Sequence, residues 1–195
     1  MRRARWWVLV LTMVAIVALF IWAAPAAAQW EKTPDARAIQ AIYREAGSTL
    51  PWYTVAAFRS SHPDFDVAGF LAVLWCESGL GTTGKSRTYH NPGNIKFCGW
   101  MDPTDPRVWL RWQCGAFRAA GAPYGHYLSH YWGQRAAIRL IWDRGYNEDL
   151  AAGDWWGFAS RYYGAGVPGI ATYVRNLQVA HDRFVRIAAS HGCAW

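Results

Sequence analysis

The chain has no internal repeat, no low-complexity tract and no interdomain linker, which excludes repeat-array and multidomain architectures. Its bases are scattered and form no cluster on one helix or loop, which argues against nucleic acid as a partner. Metal-ligand spacing is equally thin. His126 and His130 share i, i+4 spacing, but no third ligand accompanies them as in a His-Glu-x-x-His helix, so neither a metal nor another cofactor is expected. Cysteines number only four, Cys76, Cys98, Cys114 and Cys193.

One long apolar run is present. It extends from Trp6 to Trp22 behind Arg2, Arg3 and Arg5, and leads to Ala24-Pro25-Ala26-Ala27-Ala28 before Gln29. Residues 1–28 therefore read as a secretory leader with an A-x-A cleavage site. The run is also nearly long enough to cross a bilayer, so an uncleaved anchor is the alternative and the one expected route to a membrane. The protein is expected to be exported, whether secreted, periplasmic or attached to the cell wall. Cleavage would change the charge from +7 to +4, because three arginines leave and 17 basic side chains face 13 acidic ones. Residues 29–195 then form one domain, expected to act as a monomer. A modest positive charge suits anionic surfaces such as cell walls, and equally serves solubility.

All four cysteines follow the leader, and an even count in an oxidising compartment suggests two disulfides among three connectivities. Cys98 with Cys114 is favoured, since they bracket a Pro- and Trp-rich excursion without helical periodicity. That leaves Cys76 to hold Cys193 against the helix that carries Glu77.

The expected fold is mainly α-helical. Thr33-Pro34-Asp35 starts a helix through Ala36, Ile39, Ile42 and Tyr43, and Pro51 to Phe58 forms a short second element. Asp66 caps a third, whose Val67, Phe70, Leu71 and Leu74 recur at helical spacing. From about Lys85 to Ser129, Gly, Pro and Trp are frequent, with Asp102-Pro103 and Asp105-Pro106 as turns, so a small irregular lobe is expected there. Periodicity returns with Ala136, Ala137, Leu140 and Ile141, with Trp155, Phe158 and Tyr162, and with Ile170, Val174, Leu177, Phe184 and Ile187.

Glu77 stands out because it falls on the apolar face of the third helix, just before Ser78-Gly79 ends it. Desolvation in that wall and the negative end of the helix dipole are expected to raise its pKa and favour the protonated form. That state suits a proton donor to a leaving oxygen. The loop Asn91-Pro92-Gly93-Asn94 follows; its glycine permits close backbone approach, and Asn91 and Asn94 supply amides suited to acetamido and hydroxyl groups. Trp100, Trp109 and Trp112 could stack on sugar rings, or could simply fill the core.

Three stretches together resemble the glucosaminidase family of bacterial wall hydrolases, relatives of the lysozyme superfamily: Ala72-Val73-Leu74-Trp75-Cys76-Glu77-Ser78-Gly79-Leu80-Gly81-Thr82, Asn91-Pro92-Gly93-Asn94-Ile95-Lys96, and Tyr162-Tyr163 through Tyr173-Val174-Arg175-Asn176. Lytic transglycosylases share much of this pattern. The resemblance implies a lysozyme-like helical domain with a loop-rich lobe over a groove, and a Glu77 that cuts the glycan strand of peptidoglycan. Asn91, Gly93 and Asn94 of the loop, Trp100 of the irregular lobe and Tyr162 of the tyrosine segment are the candidate substrate-binding residues. The resemblance also implies a tyrosine opposite Glu77, either Tyr173 or Tyr163, with the substrate's own acetamido group replacing a second carboxylate. No second carboxylate declares itself in the sequence; Asp102 and Asp105 read as turn residues.

Other classes stay open. Cys76 with His90 or His126 could suggest a cysteine peptidase, but a thiolate gains from a helix N-terminus and Cys76 lies near a C-terminus. A non-catalytic wall-binding module, or a Trp-rich membrane-active protein, would not need the proton on Glu77.

Overall fold

The structure is a computed structural model, and it describes residues 12–13, 32–83, 92–93, 106–110, 114–125 and 129–195. The expected leader lies almost wholly outside the described residues. Among the described residues every regular element is helical, and no helix is long and apolar enough to cross a membrane.

Helix α1 (Pro34–Glu45) starts where Thr33 accepts the Ala36 N–H at 3.2 Å, with proline in its first turn. Helix α2 (Tyr53–Ser61) follows a short turn. Helix α3 (Val67–Ser78) is capped by Asp66, whose Oδ1 accepts the Gly69 N–H at 3.0 Å. Every residue from Val67 to Leu74 is buried, as befits a helix that is apolar around its circumference. Its far end closes at Gly79, in the left-handed region at φ 55°, where a side chain is disfavoured. Leu80 shares that backbone region at φ 56° and is fully buried, so core packing offsets the strain.

The lobe between α3 and the second half shows two short helices, α4 (Pro106–Trp109) and α5 (Gly115–Ala119). Then come α6 (His130–Asp143), α7 (Tyr146–Ala151), α8 (Trp155–Ala159), a π-helical turn (Ser160–Gly164) and the long α9 (Ile170–Ser190). The α9 helix packs most extensively on α3 and also on α1; α6 covers α5 and touches α2 and α7. The main core joins Phe65, Phe70, Leu71 and Leu74 to Ile138, Phe158, Leu177 and Phe184. Two side chains staple distant segments together. Gln134 donates to the Pro51 carbonyl at 3.0 Å and the Thr54 hydroxyl at 2.7 Å, joining α6 to α2. Asn147 accepts the Asp66 N–H at 2.8 Å and donates to the Asp64 carbonyl at 3.0 Å, fixing the entry to α3.

The expected Cys76–Cys193 disulfide is corrected by the structure, in which both are free thiols. Helix α9 explains this. Trp75 and Glu77, which flank Cys76, meet Phe184 and Tyr173 of α9, whereas Cys193 lies beyond Ser190, about 9 Å further along the axis than even Phe184. Cys193 packs instead with Ala38, Ala188 and Trp195. A disulfide cannot span Cα atoms more than about 7 Å apart. Cys114 is buried at the start of α5; Cys98, the partner expected for it, lies outside the described residues.

Asp66 has a consequence for stability. Burial, the largest influence, holds its carboxyl above the ordinary carboxylate range, against the lowering effects of the Gly69 N–H, His181 and Arg59. A raised native pKa means that the stability Asp66 contributes is lost as pH rises through that pKa. Asparagine caps as well as aspartate and never ionises. Asp66→Asn is therefore expected to raise the urea midpoint at neutral pH and to change it little near about pH 3, where Asp66 is already protonated. An equal effect at both pH values would refute the charge-burial explanation.

Candidate active site

Glu77 occupies the last turn of α3, on the same side as the buried Phe70 and Leu74, and is itself half-buried. Tyr173 comes to it from the first turn of α9 and donates its hydroxyl to Glu77 Oε1 at 2.7 Å. The two residues are 96 positions apart in sequence, so this contact exists only because α9 lies along α3. Tyr163 stacks on the Tyr173 ring, with centroids 4.8 Å apart and planes inclined by 21°, and remains 40% exposed. An open aromatic face thus stands beside the carboxylate.

The neighbouring tyrosine turns elsewhere. Tyr162 donates its hydroxyl to the Gly93 carbonyl at 2.6 Å, while its ring stacks on Phe158 at 5.1 Å and meets the Tyr146 ring edge-on at 5.7 Å. The wider π turn at Ser160–Gly164 sends these consecutive tyrosines to different partners, a local irregularity of the kind that gathers at functional sites. Arg161 in the same turn donates to Asp149 Oδ2 at 2.9 Å and the Gly145 carbonyl at 3.0 Å, and lies over the Tyr146 ring. That clamp ties the tyrosine-bearing turn to α7.

Ser78 fixes the same loop from the other side. Its buried hydroxyl lies 2.8 Å from the Pro92 carbonyl and 2.9 Å from the Leu74 carbonyl, and accepts the Gly81 N–H at 2.8 Å. Having one proton, the hydroxyl shares it between the two carbonyls. Pro92 and Gly93 are both buried and are held next to the helix end that carries Glu77.

Both tyrosine hydroxyls resist ionisation. Burial first, and the Glu77 carboxylate second, push Tyr162 and Tyr173 well above the usual phenol range. Both therefore stay protonated, and so able to donate, at neutral pH. Cys76 is pushed up to about 12, by burial and then by Glu77. At about pH 8 Cys76 is therefore held overwhelmingly as the thiol, which argues against it as a nucleophile. Iodoacetamide at that pH is accordingly expected to label Cys76 only after unfolding; rapid labelling of the native protein would show an accessible thiolate.

Five residues singled out in the sequence are thus brought together: Glu77, Gly93, Tyr162, Tyr163 and Tyr173. The choice between Tyr163 and Tyr173 resolves into a stacked pair, of which Tyr173 touches the carboxylate. Tyr162, expected to bind substrate, has its hydroxyl on the chain's own Gly93 carbonyl. Asn91, Asn94, Trp100, Trp112, Asp102, Asp105, His90 and His126 lie outside the described residues. Trp109 is half-buried in the lobe, edge-on to Tyr124 at 6.1 Å. Sequence reasoning missed the tethering roles of Ser78 and Arg161. Ser78 carried a signal, a hydroxyl beside the key carboxylate and before a helix-ending glycine; Arg161 carried none.

Family models, curated proteins and solved structures were all compared with the chain, and none matches it.

Proposed function

We propose that this protein is an exported, lysozyme-like glycosidase that cleaves the glycan strand of peptidoglycan at a β-1,4 bond of N-acetylglucosamine, with Glu77 as general acid. The observation that carries this reading is the Tyr173–Glu77 hydrogen bond, which orients a half-buried carboxyl at the end of α3 beside a pair of stacked tyrosines. The exposed Tyr163 ring, stacked on the tyrosine that holds the carboxyl, suits a sugar ring.

In the proposed reaction, protonated Glu77 gives its proton to the glycosidic oxygen as the bond from that oxygen to the anomeric carbon breaks. The substrate's own acetamido oxygen attacks the anomeric carbon and holds the developing positive charge. Glu77, now a carboxylate, takes a proton from water as that water opens the cyclic intermediate and leaves a reducing end. Tyr173 remains protonated throughout and donates to the carboxyl in both of its states.

The test is release of soluble reducing sugar from purified peptidoglycan by the wild-type protein. Steady release that disappears on boiling supports the proposal; none across a neutral to mildly acidic range counts against it.

A further inference from the structure

Apart from the Glu77 site, a cavity of about 460 Å³ opens between α2 and α6. That volume suits a small organic ligand. None of its lining residues contributes to the Glu77 site. Phe58 and Ile138 give it an apolar surface, and Tyr53 and Tyr131 give it two aromatic rings, 6.5 Å apart and tilted by 33°.

Two arginines one helical turn apart, Arg135 and Arg139, also line the cavity. Arg135 donates to the Tyr131 hydroxyl at 2.7 Å, and its guanidinium lies over the Tyr131 and Trp132 rings at 5.3 and 5.4 Å. These contacts hold the group in place without neutralising it, and no carboxylate pairs with it among the described residues. Arg139 pairs with Asp143 at 3.2 Å through its Nε, which is enclosed but has no well-aligned hydrogen bond. One carboxylate thus faces two guanidiniums, which leaves one positive charge beside an aromatic and apolar wall.

We propose that this cavity is a second ligand site that binds an acidic sugar, its carboxylate on Arg135 and Arg139 and its ring against Tyr53 and Tyr131. The planar fork of a guanidinium matches a carboxylate in two-point contact, whereas a neutral sugar offers it no charge to compensate. Only the choice of sugar rests on the glycan reading: N-acetylmuramic acid is the carboxyl-bearing unit of the polymer assigned to Glu77, and it presents a free carboxylate where its peptide stem has been removed.

The experiment is a chemical-shift titration of the isotope-labelled protein with N-acetylmuramic acid and, separately, with N-acetylglucosamine, which keeps the ring and lacks the carboxylate. Muramic acid is expected to move amides of α2 and α6 saturably, N-acetylglucosamine to leave them in place, and Arg135→Gln to weaken muramic acid binding about tenfold or more. Arg139→Gln provides a second charge deletion. An equal response to both sugars, shifts confined to the surroundings of Glu77, or unchanged binding in both variants would each overturn the proposal. Glycan cleavage is assayed in parallel on the wild type. Cleavage without muramic acid binding at α2 and α6 refutes the second site alone, and binding there without cleavage refutes the Glu77 reading alone.

Discussion

Glu77→Gln is expected to lower the rate of glycan cleavage by roughly 10²–10⁴-fold, the usual contribution of a positioned proton donor, while leaving the thermal midpoint close to that of the wild type. Glutamine keeps the length and shape of the side chain, and its amide oxygen can still accept the Tyr173 hydroxyl, so the helix end and the tyrosine pair have no reason to move. What is lost is the proton. Release of dye from labelled peptidoglycan, beside a circular-dichroism melt, separates loss of chemistry from loss of fold. Cleavage within tenfold of wild type by a folded Glu77→Gln protein would remove Glu77 as the acid. It would favour a wall-binding or membrane-active role instead.

Tyr173→Phe is expected to be the next most damaging change. It deletes only the hydroxyl that donates to Glu77 Oε1 and retains the ring on which Tyr163 stacks. Hydrogen bonds to charged groups contribute about 1.5–3 kcal/mol, so a roughly ten- to hundredfold loss is expected. In the proposed mechanism Tyr173 orients the carboxyl, so the loss belongs in kcat, with KM little changed. The comparison variant is Tyr163→Ala, which removes the exposed aromatic face and is expected to raise KM more than it lowers kcat. A Tyr173→Phe protein with normal kcat and a raised KM would make Tyr173 a binding residue.

The helices were legible because their signals are local. Thr33-Pro34 and Asp66 are caps whose chemistry is complete within three residues, and Gly79 ends α3 because its backbone needs the left-handed region. The burial of Phe70, Leu71 and Leu74 followed from their spacing alone. Glu77 was legible for the same reason, being a carboxylate on that apolar face.

What the sequence concealed is what depends on distant segments meeting. The gap between Tyr162 and Tyr173 could not be assigned because a π turn and a glycine-rich loop fill it, and neither has a periodicity to read. The pairing of Cys76 with Cys193 failed because cysteine count carries no distance, whereas the 21-residue α9 imposes one. Ser78 showed its hydroxyl in the sequence but not the partner of that hydroxyl, because only the fold brings the Pro92 carbonyl to it. The cavity between α2 and α6 had no sequence signature, since Tyr53 and Arg135 belong to helices far apart in the chain.

The most direct measurement is mass spectrometry of the soluble fragments formed when the purified protein meets peptidoglycan, with Glu77→Gln as control. Hydrolysis at Glu77 predicts fragments that end in reducing N-acetylglucosamine and that disappear in the control. Anhydromuramyl ends would show intramolecular attack by a sugar hydroxyl in place of water, and fragments that form equally with Glu77→Gln, or not at all, would contradict catalysis by this residue.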